Sequence, residues 1–160
     1  MAAPTVTARQ APVGFPGRLE NGFSTKIACA SDPDISFWET EVTPPGLEGP
    51  ELIDISTMHN ILYVTMAPGA LITLTESSGV AGYDPAVLTQ ILAIINDNVA
   101  WTLHHPDGST WAFWGVLRQF TPQAHQRNVF PTVNFTITPT NYDPTNRVEA
   151  GPAVVSVAGT

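Results

Sequence analysis

The chain has 160 residues, about the length of one domain and enough to bury a hydrophobic core of its own. Charged residues make up only 12% of it, against roughly 25% in an average globular protein, which favours a surface that neighbouring subunits cover. Six basic residues against 14 acidic ones give a net charge of −8, which argues against DNA binding through the phosphates.

Cys29 is the single cysteine, so the chain cannot form an intramolecular disulfide, and we expect it to be a small buried apolar residue. No hydrophobic run reaches the length of a signal-peptide core or of a membrane span. We therefore expect neither secretion by a signal peptide nor membrane insertion.

Residues 1–24 contain three prolines and three glycines without a helical or strand period, which predicts an extended N-terminal arm. Phe15, Leu19 and Phe23 are candidate anchors that dock this arm onto a neighbouring subunit. A loose terminus with scattered apolar residues has the same pattern.

Three β-strands are predicted next, the first from about residue 35 and the others over residues 51–57 and 71–76. The first alternates apolar positions with Glu39 and Glu41, which is the period of a strand with one buried face. Pro44-Pro45-Gly46 ends it, because consecutive prolines donate no ladder hydrogen bonds. Residues 58–70 are predicted to be a connection between the second and third strands.

One helix is predicted over residues 84–96. Asp84 is a suitable N-cap, and Pro85 fits the first helical position, where a missing N–H costs nothing. An apolar stripe predicts that the helix covers a sheet. Its members are Val87, Leu88, Ile91, Leu92 and Ile95.

The C-terminal half predicts a hairpin and one more strand. Residues 101–105 lead into the turn Pro106-Asp107-Gly108, and a strongly apolar return strand follows over residues 111–120. A last strand at residues 133–138 alternates Val133, Phe135 and Ile137 with polar residues. We therefore expect one β domain over residues 25–140 and an extended C-terminal tail over residues 141–160.

No segment predicts catalysis, a metal site or a cofactor. His104 and His105 are neighbours on a predicted strand and face opposite sides, so they do not converge on one metal. Cys29, His59 and His125 lack the spacing of zinc ligands, and neither a nucleophile-elbow nor a Walker-type motif is present. An enzyme is therefore disfavoured.

The order of the motifs resembles the major tail tube proteins of siphophages, over about residues 25–140. In that family a strand end precedes a loop and then a turn. The strand end is similar to Asp54-Ile55-Ser56-Thr57-Met58, and the turn is similar to Pro68-Gly69-Ala70-Leu71. The hairpin LHHPDGSTWAFWGVLRQFTP and the strand NFTITPT match two later segments of the family, and one helix lies before them.

The resemblance implies a mainly β fold of two packed antiparallel sheets, sandwich- or barrel-like, with one flanking α-helix. It also implies a homo-oligomer, in which hexameric rings stack into a tube that conducts DNA without specific binding. The implied partners are tape-measure, terminator and baseplate proteins, and the implied location is a virion tail assembled in the host bacterial cytoplasm. Glu39, Glu41 and Asp54 are candidate acids facing the lumen, although an outer solvated face explains them equally well.

We also expect an assembly loop between subunits or rings at residues 58–66, since it exposes more apolar surface than a free loop should. Its candidate residues are Met58, His59, Asn60, Ile61, Leu62, Tyr63, Val64 and Met66.

Two alternatives remain open from the sequence. One is a tail terminator or baseplate ring protein, or the tube of a tail-derived injection device. The other, from a different class, is a monomeric ligand-binding β-domain. The state of assembly of the purified protein distinguishes them.

Overall fold

Strands form most of the regular structure in the computed structural model, which describes residues 25–32, 35–105 and 108–155. Arm anchors Phe15, Leu19 and Phe23 lie outside these residues. The strands are β1 (Lys26–Cys29), β2 (Ser36–Thr43), β3 (Leu47–Glu48), β4 (Ile53–Asp54), β5 (Met66–Ala67), β6 (Thr73–Leu74), β7 (Ser77–Gly82), β8 (Asn98–His104), β9 (Thr110–Pro122), β10 (Thr132–Pro139), β11 (Tyr142–Asp143), β12 (Val148–Glu149) and β13 (Ala153–Val155). A 3-10 turn (Pro85–Val87) leads into helix α1 (Leu88–Ile94).

Six antiparallel strands close into a barrel in the order β10-β7-β2-β1-β8-β9. The closing element is β9, which pairs with β8 through residues 110–116 and with β10 through residues 115–122. The predicted class, mainly β with antiparallel sheets and one flanking helix, is confirmed. Because β9 pairs with both β8 and β10, the two packed sheets that were predicted are joined into one closed sheet.

Two β-bulges interrupt the barrel strands. The register of β2 shifts between Glu39 and Glu41, which leaves Thr40 as the extra residue, and β9 has an extra residue at Arg118 opposite the Thr136/Ile137 step of β10. Bulges bend and twist a strand, as closure of a small barrel requires. The alternation that predicted a shared face for Glu39 and Glu41 is therefore broken, and that prediction loses its basis.

The core lies inside the barrel. Val133, Phe135 and Ile137 are buried, as the alternation predicted, and the buried Trp101 donates its indole N–H to the carbonyl of Gly115 at 3.1 Å. Cys29 is buried in the same cluster, which confirms the prediction of a small apolar residue. The inward positions of β1, β8, β9 and β10 therefore supply most of the hydrophobic core.

The predicted helix is present but shorter, and the residues that it buries against the core differ in part from the predicted stripe. Asp84 caps it as expected, since its carboxylate accepts the N–H of Ala86 at 2.9 Å. Ile91 and Ile94 are buried, whereas Leu88 and Leu92 are exposed, so these two members of the predicted stripe were wrong. The opening 3-10 turn winds more tightly than an α-helix, and it rotates the stripe toward Ile94.

Between β2 and β7 the predicted strands are much shorter than expected. Strand β4 keeps two residues of the predicted 51–57, and β6 keeps two of the predicted 71–76. Strand β4 pairs with β5 and β6 pairs with β3, and neither β3 nor β5 was predicted from the sequence. Residues Pro50 and Pro68 interrupt the ladders because proline lacks the N–H that a ladder needs.

The hairpin of β8 and β9 is confirmed, and so is the strand predicted at residues 133–138, which is β10. Of the predicted turn, Pro106 and Asp107 lie outside the described residues, while Gly108 donates its N–H to the carbonyl of His105 at 3.0 Å. In the segment expected to be extended, β11 pairs with β12 and β13 pairs with β9. This C-terminal segment thus lies beside the barrel.

Candidate assembly surface

A β-arm, residues 44–76, connects β2 with β7. It consists of two short ladders, β3 with β6 at the base and β4 with β5 further out, and it ends in a tip at residues 55–65. The tip contains most of the assembly loop that the sequence predicted. Every residue from 47 to 66 is exposed, so this part of the arm is in contact with solvent.

The base of the β-arm is fixed to the barrel. Pro45 is fully buried and Leu74 nearly so, which places one residue from each side of the arm in the core. Gly46 and Thr75 bind each other twice, through Gly46 N–H to the Thr75 hydroxyl at 2.7 Å and Thr75 N–H to the Gly46 carbonyl at 2.9 Å. These contacts fix the direction in which the arm leaves the barrel.

Asn60 organises the tip. Its side-chain carbonyl accepts the N–H of Thr57 at 3.0 Å, and its amide donates to the carbonyl of Tyr63 at 2.9 Å and to the hydroxyl of Thr65 at 2.7 Å. Across the tip, Thr65 also donates its N–H to the hydroxyl of Ser56 at 2.8 Å. Polar side chains therefore hold a loop that has no buried core of its own.

The apolar side chains of the tip are turned out to water. Met58, Ile61, Leu62 and Tyr63 are 102%, 92%, 81% and 83% exposed. Val64 and Met66 are exposed to a lesser degree. His59 is also exposed, and it donates its backbone N–H to the Thr57 hydroxyl at 3.4 Å. The structure thus places all eight predicted loop residues on one projecting element.

The three candidate lumen acids do not form one group. Asp54 lies on the β-arm, where its carboxylate accepts the backbone N–H of Ser56 at 2.8 Å. Hydrogen bonding from the Ser56 side chain, and then from this N–H, lowers the pKa of the Asp54 carboxyl. Glu41 lies instead on the barrel, in a shallow polar groove of about 280 Å³ with Thr43, Ser78 and Asn134. Glu39 is described by its backbone alone. Glu41 and Asp54 therefore belong to separate surfaces.

A second groove of about 380 Å³ lies between the base of the β-arm and the C-terminal segment. We call it the base groove. The arm side is formed by Leu47, Ala70, Leu71, Ile72 and Leu74, and the C-terminal side by Asn141, Glu149, Gly151 and Pro152. Leu47, Leu71 and Ile72 are exposed there, so the groove is apolar and open to solvent.

Sequence reasoning missed the base groove. One signal was present, since the consecutive Leu71-Ile72 cannot both face the core of a strand whose side chains alternate. The contribution of residues 141–152 had no such signal, because it depends on how the C-terminal segment returns to the arm.

Among the described residues, no group of three or more His, Cys, Asp or Glu side chains is placed to hold a metal ion. None of the helices in the described part of the chain has the length and apolar character to cross a membrane.

The chain is similar in structure to a chain of the anti-feeding prophage baseplate, determined by cryo-electron microscopy with six-fold symmetrisation. The TM-score is 0.54, the sequence identity is 8%, and the match covers 84% of this chain and 92% of that chain. At this identity the likeness shows a common fold. No protein-family model and no curated protein sequence matches the chain.

Proposed function

We propose that this chain is a structural subunit of a phage tail or of a tail-derived injection apparatus, and that it assembles with copies of itself into rings. The observation that carries the proposal is the projecting β-arm with its apolar tip, on a barrel that shares its fold with a baseplate chain. The shortage of charged residues supports it, because a largely covered surface needs fewer charges.

The tip is built for contact with another protein surface. A contiguous apolar patch on a soluble monomer is normally an interaction site, and here Asn60 holds the patch in one shape before contact. A preorganised loop loses less conformational entropy on binding than a mobile one. The polar network therefore favours a recognition role over a loose connection.

The free energy gained by burying the tip is too small for the tip alone to hold two subunits together stably. Burying one large apolar side chain contributes about 1.5–3 kcal/mol, whereas association costs about 4–15 kcal/mol in lost freedom. Four tip side chains give a gain of the same order as that cost. A stable assembly therefore needs an apolar acceptor surface, and it benefits from the closure of a ring, in which every copy makes two contacts.

Within the tail, a baseplate or terminator ring protein is favoured over the tube subunit that the sequence suggested. The observation that favours it is the fold shared with the baseplate chain, in a structure symmetrised six-fold. A tube of stacked hexameric rings remains the second candidate. In either case, the polar surface that carries Glu41 and the net charge of −8 suit a channel that DNA passes without sticking.

The proposal assigns no catalytic step and no cofactor to the chain, and it places assembly in the cytoplasm of the host bacterium. Tape-measure, tube and baseplate proteins are the expected neighbours. A monomeric ligand-binding domain is the competing class, and it does not account for the exposed tip.

Negative-stain microscopy of the purified protein, together with its mass in solution over a range of concentrations, tests the proposal. Closed single rings support a baseplate or terminator ring protein, and stacked rings or tubes support the tube subunit. A strict monomer at hundreds of micromolar contradicts both and supports the ligand-binding domain.

A further inference from the structure

The proposed ring requires two complementary surfaces on every copy. In a head-to-tail contact one subunit donates a projection and the next supplies an acceptor, so both must be present on the same chain. The tip is the projection. Among the described grooves that border the β-arm, the base groove is the apolar one.

We propose, on the basis of the proposed function, that the tip of one copy docks in the base groove of the next copy. The groove has apolar walls from Leu47, Leu71, Ile72 and Pro152, and Glu149 lies beside them. Its volume of about 380 Å³ lies within the roughly 300–1,000 Å³ of well-formed binding sites. Tip side chains at Ile61, Leu62 and Tyr63 are the apolar groups that it receives.

The tip does not lie in the base groove of its own chain. Ile61, Leu62 and Tyr63 are 92%, 81% and 83% exposed, so the groove covers none of these side chains. The pairing of Ile53 with Ala67 holds the tip away from the base. Contact between the tip and a base groove is therefore made between two copies.

The exposed apolar tip that the chain itself carries favours a second copy as the occupant of the groove. Small-molecule sites are also mostly apolar, so the apolar arm side of the groove fits either occupant, and the tip is the apolar group that every copy supplies. The tip exposes consecutive large apolar side chains that match such a surface. Burial of the two together removes both patches from water.

Two variants test the contact from its two sides. Leu62→Asp places a charge on the tip, and Gly151→Glu places one in the groove, on the wall that is not part of the arm. A Cβ at Gly151 meets no atom within 4 Å, and Leu62 is exposed, so neither change disturbs the folded monomer. Leu92→Asp, at an exposed apolar position on the helix, is the matched control.

At concentrations where the wild type and Leu92→Asp assemble, each test variant alone should stay monomeric by sedimentation velocity. We expect the self-association affinity of each test variant to be about thirtyfold weaker than that of the wild type, or weaker still. Mixed one to one, they should form a heterodimer and stop there. The Gly151→Glu chain has an intact tip and the Leu62→Asp chain an intact groove, so only one contact can form.

Assembly of Gly151→Glu like the wild type would overturn the proposal while leaving the proposed ring function standing. Dimers of Gly151→Glu alone, which the Leu62→Asp chain does not join when the two are mixed, overturn it as well, since that pattern belongs to tip-to-tip pairing. A wild type that never assembles contradicts the proposed function itself.

Discussion

The side-chain amide of Asn60 donates a hydrogen bond to the hydroxyl of Thr65 at 2.7 Å, across the tip of the β-arm. The same amide group donates to the carbonyl of Tyr63, so one side chain joins three points of a loop that has no core. The shape of the exposed apolar surface therefore depends on one polar residue.

Replacing Asn60 should weaken assembly without unfolding the barrel. Asn60→Ala removes the bonds to Thr57, Tyr63 and Thr65. At about 1 kcal/mol for each hydrogen bond, we expect assembly to weaken about tenfold or more, with the melting temperature nearly unchanged. Sedimentation velocity and hydrogen exchange at residues 55–65 measure the two effects. Gln123→Ala, which removes an exposed amide outside the arm, is the control and should leave assembly intact.

The stripe of α1 gives a second prediction, with adjacent residues as test and control. Ile91 is 1% exposed and Leu92 is 67% exposed. We expect Ile91→Ala to destabilise the fold by about 2–5 kcal/mol, because it leaves a cavity under the helix. Leu92→Ala should change stability by less than about 0.5 kcal/mol. Chemical denaturation measures both, and equal effects would contradict the stripe that the structure shows.

A close approach of strands at Gly79 gives the third prediction. A Cβ there would lie 2.5 Å from the carbonyl oxygen of Glu41 and 3.0 Å from the ring of Phe135. We expect Gly79→Ala to cost about 1–3 kcal/mol and to lower the melting temperature by several degrees. Gly49→Ala is the control, since its Cβ meets nothing within 4 Å. A thermal melt in which Gly79→Ala matches the wild type would contradict this packing.

The stability of the barrel should fall as the solution is made mildly acidic. Burial, helped by the charge of Lys26 and by His105, lowers the pKa of His104 below its usual 6.5. The unfolded chain therefore binds this proton more readily, and stability is lost as the pH falls from about 7 through the lowered value. Melting temperatures at pH 7.5 and 5.5 measure the loss. His104→Gln should reduce this loss of melting temperature between pH 7.5 and 5.5. An equal loss in that variant would show that other titratable groups cause it.

Local signals predicted those parts of the fold whose cause lies within a few residues. The cap at Asp84 and the inward set Val133, Phe135 and Ile137 follow from short-range patterns, and both are present. The closure of the barrel was out of reach, because it depends on β9 exchanging its partner from β8 to β10. Sequence alternation also gave no sign of the bulge at Thr40.

The candidate surface was predicted in part. The run from Ile61 to Val64 is apolar in a segment without a strand partner, which was enough to identify the tip. Its internal order was not evident, because the role of Asn60 depends on Tyr63 and Thr65 returning to it. The base groove was missed for a similar reason, since its two walls lie about seventy residues apart in the chain.

The central claim is that the β-arm tip drives self-assembly, and replacing residues 58–66 with a short turn tests it most directly. Sedimentation velocity of this variant beside the full chain, at matched concentrations, is the measurement. We predict that the full chain forms rings, and that the variant stays a folded monomer with a melting temperature close to that of the full chain. Rings of normal size from the variant would contradict the claim.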